Sequence, residues 1–177
     1  MTWLRRNRWW LLVLLPVLVA AGWLHYDDVY EGFHDRKPTE PVAAGDGGWV
    51  SFAGARMRLV SLEKAEDLEK NGGDPFTVPG GATAWRATIA FEAPDQDAIG
   101  GCQVSLEDDR GRTYDSGPSE LSGARTGFAS CGAPDKATPA SYQSVVYFVT
   151  PGGTRATAVR ITLATKLPRY ARLTTSG

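Results

Sequence analysis

Two histidines and four carboxylates crowd into one stretch, His25-Tyr26-Asp27-Asp28-Val29-Tyr30-Glu31-Gly32-Phe33-His34-Asp35. On a helix Asp27, Glu31 and His34 share one face, and imidazole with carboxylate suits zinc or manganese. The candidate metal ligands are therefore His25, Asp27, Glu31 and His34, with Asp28 and Asp35 beside them. The competing reading is a solvated collar next to a membrane, since Gly32 interrupts the helix the site would need. The collar is the simpler reading, so no metal and no cofactor is assigned.

Other chemistry finds less support. Asp95-Gln96-Asp97 and Glu107-Asp108-Asp109 offer oxygen ligands that calcium accepts, but the further spaced carboxylates of a binding loop are missing. Aspartate also serves turns for backbone reasons. His25 and His34 are the only histidines, so a Ser-His-Asp device would need one of them to swing onto the C-terminal domain. Gly117-Pro118-Ser119-Glu120 is followed by Leu121, which is not a nucleophile elbow. The pairs Gly80-Gly81 and Gly152-Gly153 precede strands and lack the Lys-Ser/Thr ending of a phosphate loop. The chain reads as a non-enzyme.

The element that would position the His25 stretch is an apolar run. Residues 9–24 read WWLLVLLPVLVAAGWL, sixteen residues without a charge, directly after Arg5, Arg6 and Arg8. As a helix this covers about 24 Å, slightly short of a roughly 30 Å hydrocarbon core. Trp9 and Trp10 at one end, and Trp23, Tyr26 and Tyr30 at the other, suit the two interfaces. Pro16 implies a kink that bilayer helices tolerate. The arginines hold the N-terminus in the cytoplasm, which places the rest of the chain outside. A cleaved secretory signal ending near Val19-Ala20-Ala21 is the alternative, and export follows under both readings. No cysteine follows the run for lipid attachment. Ala20, Ala21 and Gly22 are adjacent rather than spaced for a helix-dimer face.

Only two cysteines occur, Cys102 and Cys131. In an oxidising compartment such a pair usually bridges, and no Cys-x-x-Cys spacing supports a redox or metal role. From Trp49 onward there are fourteen Lys plus Arg and fourteen Asp plus Glu. A neutral domain without a basic stripe argues against nucleic-acid binding.

Residues 37–48 read as a linker, rich in Pro and Gly. After it the period becomes two. Trp85, Ala87, Ile89 and Phe91 alternate with polar or small neighbours, as do Cys102, Val104 and Leu106, with Gln103, Ser105 and Glu107 opposite. Asp109-Arg110-Gly111-Arg112 predicts a turn, and Thr113-Tyr114 a return strand. Residues 144–149 are apolar on both faces, which predicts a central strand. Val159, Ile161 and Leu163 form the last clear strand. Residues 49–52 and 57–62 read as edge strands, and residues 62–70 as the single helix. Trp85 belongs to a core face, while Trp49 could pack or could anchor a partner. Val78-Pro79-Gly80-Gly81 and Thr150-Pro151-Gly152-Gly153 are repeated turn chemistry.

This pattern resembles the immunoglobulin-like domains of unknown function in membrane-anchored proteins and lipoproteins of Gram-positive bacteria. The matching pieces are the Pro79-Gly80 turn before the 85–91 strand and the hairpin from Asp109 to Tyr114. The apolar strand 145–149 followed by Pro151 completes them. The resemblance covers residues 49–173 and implies a small extracytoplasmic β-sandwich used for binding or structure. One departure stands out: antibody-type domains place a Trp between two bridged Cys, whereas Trp85 precedes both here.

The expected organisation is a cytoplasmic basic N-terminus (1–8), a transmembrane anchor (9–26), a juxtamembrane stretch and linker (27–48), an extracytoplasmic sandwich (49–173) and a tail (174–177). The fold expected is all-β, an antiparallel immunoglobulin-like sandwich of about seven strands behind one transmembrane helix. The function expected is a non-enzymatic binding or structural module of the cell envelope with a protein partner. The alternatives are a secreted soluble domain, or a small metal-dependent envelope protein using the His25–Asp35 stretch.

Overall fold

A computed structural model of the chain describes residues 7, 9–10, 12–20, 23, 37–127, 131–133 and 140–175. The chain divides into two compact units, Met1–Lys37 and Pro38–Gly177. In the first, Trp9, Trp10, residues 12–20 and Trp23 are helical and exposed. Among the described residues, no helix is long and apolar enough to cross a membrane. The rest of the expected span, and the whole His25–Asp35 stretch, lie outside the described residues.

The second unit is a β-sandwich of two sheets. Its strands are β1 (Glu40–Val42), β2 (Val50–Phe52), β3 (Ala55–Lys64), β4 (Ala82–Glu92), β5 (Gln103–Asp108), β6 (Thr113–Asp115), β7 (Ser141–Pro151), β8 (Ala156–Thr162) and β9 (Arg169–Leu173). One sheet has the order β1-β9-β8-β5-β6 and the other β2-β3-β4-β7. Among the described residues the strands therefore number nine, where about seven were expected. The sandwich is also not wholly antiparallel, because β1 runs parallel to β9, with Pro41 opposite Tyr170. β1 lies in the stretch expected to be linker. Its three residues are mostly exposed, so it left no period-two signal to read.

Alternation builds the core as expected in β4, where Ala87, Ile89 and Phe91 are at most 1% exposed. Phe91 stacks on Tyr142 of β7 with ring centroids 5.3 Å apart. Met57, Leu59 and Phe148 join them from the same sheet, facing Val104, Leu106, Val159, Ile161 and Leu173 of the other. Full burial of each large side chain contributes about 2 kcal/mol. Trp85 sits at the end of this row, 9% exposed.

Three expectations fail, each for a non-local reason. β3 is internal, flanked by β2 and β4, although its exposed Arg56 and Val60 give it the half-polar look of an edge. A bulge between Leu59 and Ser61 adds Val60 to the strand and leaves it 45% exposed; such an insertion bends the strand and shifts its alternation. β7 is the edge of its sheet rather than a central strand. Its outer face is apolar because Tyr147 and Val149 pack on a second cluster of Ala65, Leu68, Ala84, Leu121 and Ala124. Residues 62–70 form no helix. Leu62–Lys64 finish β3 against Ala87, Arg86 and Trp85, Ala65 and Leu68 are buried in the second cluster, and Glu69 and Lys70 make single bridges to Pro75 and Ala124. Tertiary pairing overrides the helical propensity of a charged segment.

The repeated Pro-Gly-Gly turns meet each other. Ala82 lies opposite Pro151, and the Gly152 N–H donates to the Gly81 carbonyl at 2.6 Å. A Cβ on Gly152 would stand 3.0 Å from that oxygen, so this close approach requires glycine.

Candidate functional site

A cleft of about 540 Å³ opens where the β2–β3 hairpin meets the start of β9. Ser51, Phe52, Ala53, Gly54, Ala55 and Arg56 line it from the hairpin, and Lys166 and Arg169 from the other side. Ser51 and Arg56 are cross-strand partners, as are Phe52 and Ala55. The loop between them is therefore only Ala53-Gly54, both at positive φ, 53° and 81°. Two central residues with positive φ match the right-handed twist of a tight hairpin, but alanine rarely accepts that conformation. Lys166 ends the 3-10 turn Ala164–Lys166 that follows β8, and Arg169 opens β9.

Three cations thus converge on a concavity whose lining includes no carboxylate. Arg56 is shared with Glu92, at 2.9 Å on exposed side chains, a contact worth at most about 1 kcal/mol. Lys166 and Arg169 make no ion pair with a described residue, although Glu40 is the ladder neighbour of Arg169. The phenyl of Phe52 is buried in the core, leaving a floor of small side chains and backbone. Chemically, the positive lining favours the approach of an anion.

Trp49 lies at the same end of the domain. The guanidinium carbons of Arg56 and Arg58 each stand 5.0 Å from its ring centroid. The indole is half-buried and already occupied by its own chain, a cation–π arrangement that positions both arginines.

A second charged group sits on the outer face of the five-stranded sheet. Glu107 accepts from Arg160 Nε at 2.6 Å and from Arg172 Nη2 at 3.0 Å. Arg160 also lies 4.9 Å above the Tyr170 ring. Burial favours the neutral acid, yet the Arg172 and Arg160 guanidinium groups outweigh it and hold the Glu107 carboxyl below its usual range. One anion between two cations makes this a closed network that ties β5, β8 and β9 together.

The two acidic runs weighed as calcium ligands and read as turn chemistry make turn contacts: residues 95–97 lead into a 3-10 turn, and Asp108 ends β5 at the turn that Asp109 opens. Asp95 Oδ1 accepts the Asp97 N–H at 3.1 Å. Asp108 Oδ1 accepts the N–H groups of Arg110 and Arg112, each at 2.9 Å, and its Oδ2 accepts from Arg112 Nε at 2.7 Å and Tyr114 Oη at 3.2 Å. Burial disfavours this charge too, but the Arg112 contacts and the Arg110 N–H lower its pKa to about 2. With all its lone pairs engaged, Asp108 is spoken for. Among the described residues, no group of three or more His, Cys, Asp or Glu could hold a metal ion. His25, Asp27, Glu31 and His34 fall outside those residues.

Cys102 and Cys131 are bridged, with Cα atoms 6.2 Å apart, and Cys131 is buried in the main core. The Tyr142 hydroxyl donates to the Cys131 carbonyl, and burial pushes that hydroxyl's pKa up, keeping it protonated. The cleft residues Ser51, Arg56, Lys166 and Arg169 were not candidates on sequence grounds. Their only signal was basic residues flanking short strands, which any solvated face shows.

No protein-family profile and no curated protein matches this chain. Among solved structures it is similar to an uncharacterised β-sandwich protein from Clostridium difficile 630, at 9% sequence identity and a TM-score of 0.44. The likeness covers 77% of this chain and 95% of that one.

Proposed function

We propose that the chain is a single-pass envelope protein carrying an immunoglobulin-like, non-enzymatic binding or structural module on the outer side of the membrane. The observation that carries this reading is the bridged Cys102–Cys131 pair, downstream of a sixteen-residue uncharged run that three arginines precede. Disulfides persist in oxidising compartments, and arginines before such a run orient it with the N-terminus inside. Support from the helix itself is local: residues 12–20 are helical, with Leu12, Val13, Leu14, Leu15, Val17, Leu18 and Val19 all more than half exposed. An apolar helical stretch whose described side chains are exposed suits lipid. The partner is an envelope component, and nucleic acid is excluded from the proposal by the neutral domain.

The test is a phosphatase that folds only outside the cytoplasm, fused after Gly177, combined with alkaline carbonate extraction of the membranes. Activity that stays in the carbonate pellet supports the reading. Activity released to the supernatant, with an intact mass lacking about 21 residues, replaces the anchor with a cleaved signal. An inactive fusion beside a fluorescent cytosolic one overturns export altogether.

A further inference from the structure

The geometry points to the cleft between the β2–β3 hairpin and the start of β9 as a binding site for a phosphate ester, held by Arg56, Lys166 and Arg169. This rests on the proposed reading only in treating the sandwich as a binding module, and it does not depend on the membrane segment.

Convergence is the first argument. The domain is balanced in charge, fourteen against fourteen, so cations have carboxylates available across its surface. Arg86 takes two, Glu63 and Asp67; Arg160 and Arg172 share Glu107; Arg112 holds Asp108. Lys166 and Arg169 make no ion pair with a described residue, as is also true of Arg58 and Arg110, but these two line one concavity together. Arg56 joins them, held by the Trp49 ring and by an exposed carboxylate, Glu92. Gathering like charges costs free energy unless an anion sits among them.

Anion type follows from directions and size. The cations come from β3 on one side of the cleft, and from the turn after β8 and the start of β9 on the other, so they line it from two sides. A planar carboxylate is satisfied by a single guanidinium fork, whereas a tetrahedral phosphoryl group presents oxygens in several directions. The Ser51 hydroxyl adds a neutral donor within the same lining. The volume of about 540 Å³ falls in the range for small-molecule sites and exceeds that of a bare phosphate. A phosphate carrying a glycerol-sized substituent fits this description. Its source is either a soluble ester or the headgroup of an anionic phospholipid.

The experiment uses the full chain in micelles of an uncharged detergent, titrated with glycerol 3-phosphate. Arginine Nε–H resonances are read on the protein and the phosphorus resonance on the probe. Saturable shifts of Arg56 and Arg169, with Arg160 and Arg172 still, are the expected result. Lys166→Ala with Arg169→Ala should weaken binding tenfold or more at an unchanged unfolding midpoint, and Lys166→Glu should abolish it. Arg110→Ala, an exposed arginine remote from the cleft lining, should leave binding unchanged.

A shift that rises linearly without saturation, or is matched by sodium chloride at equal ionic strength, overturns the site. So does equal binding by the double variant. In a second arm the chain is reconstituted into phosphatidylcholine vesicles with and without phosphatidylglycerol. The same resonances moving with phosphatidylglycerol alone identify the headgroup as the source; movement only on adding glycerol 3-phosphate identifies a soluble ester. A silent micelle titration sinks this inference and leaves the anchor reading standing. A cytosolic reporter sinks the anchor and leaves the cleft untouched.

Discussion

The Trp85 indole N–H donates to the Thr150 hydroxyl at 3.0 Å, diagonally across the β4–β7 ladder, with both side chains buried. Without that hydroxyl the indole would have a donor facing the core with nothing to receive it. Thr150→Val keeps the shape and removes the acceptor, and should destabilise by about 1–3 kcal/mol. Thr150→Ser should recover most of the loss. Urea unfolding of the three chains decides it, and an unchanged midpoint for the valine variant would show that the contact contributes nothing.

Asp108 gives the fold an acid limit. Its carboxyl has a pKa of about 2 when folded and about 3.9 when unfolded. Between these values the unfolded chain takes up the proton first. The contribution is therefore complete above about pH 4 and is lost as the pH falls through about 2. Asp108→Asn should lower stability at neutral pH and flatten its pH dependence within that window. Unfolding midpoints recorded across the window test this, and parallel curves for the two chains would refute it.

Glu107 is 7% exposed and serves two arginines. Glu107→Gln leaves both guanidinium groups short of a counter-charge, and a broken buried pair costs about 3 kcal/mol. Arg172 is about a third exposed, so Arg172→Met should cost less than Arg160→Met. A double-mutant cycle on the Glu107–Arg160 pair should give a coupling that persists in high salt. A coupling that vanishes in salt would mark the pair as solvent-screened.

Ala53 holds a φ of 53° in the two-residue loop between β2 and β3. A left-handed conformation costs an alanine about 1 kcal/mol, and asparagine before glycine suits this turn. Ala53→Asn should raise stability by about 0.5–1 kcal/mol. Loss of stability in thermal unfolding would argue that the loop depends on the small methyl group.

Removal of the Cys102–Cys131 bridge, which spans 29 residues, should cost about 3–4 kcal/mol on the chain-entropy account. Denaturant midpoints with and without a reductant measure it directly. Identical midpoints, with thiol titration proving full reduction, would remove the bridge as a source of stability.

Much of this protein was legible in the chain alone. The all-β two-sheet class followed from period-two stretches, because a strand with one buried face must alternate. The 85–91 core face, the Asp109–Arg112 turn, the Thr113–Tyr114 return strand and the cysteine pairing were readable for similar local reasons. What periodicity reports is which face is buried. It does not report what buries that face, or which strand lies alongside.

Tertiary structure decided those points. It placed β7 at the edge of its sheet while covering Tyr147 and Val149 with Leu121 and Ala124, made β3 internal, and paired β1 with β9 over a separation no local rule spans. Residues 62–70 lost their helix to the ladder and to the second apolar cluster. The cleft was least visible of all. Ser51 and Arg56 stand more than a hundred positions before Lys166 and Arg169, and only the packing of two sheets brings them to one cleft. Charge convergence is a property of the folded surface, so a linear order of residues carries no trace of it.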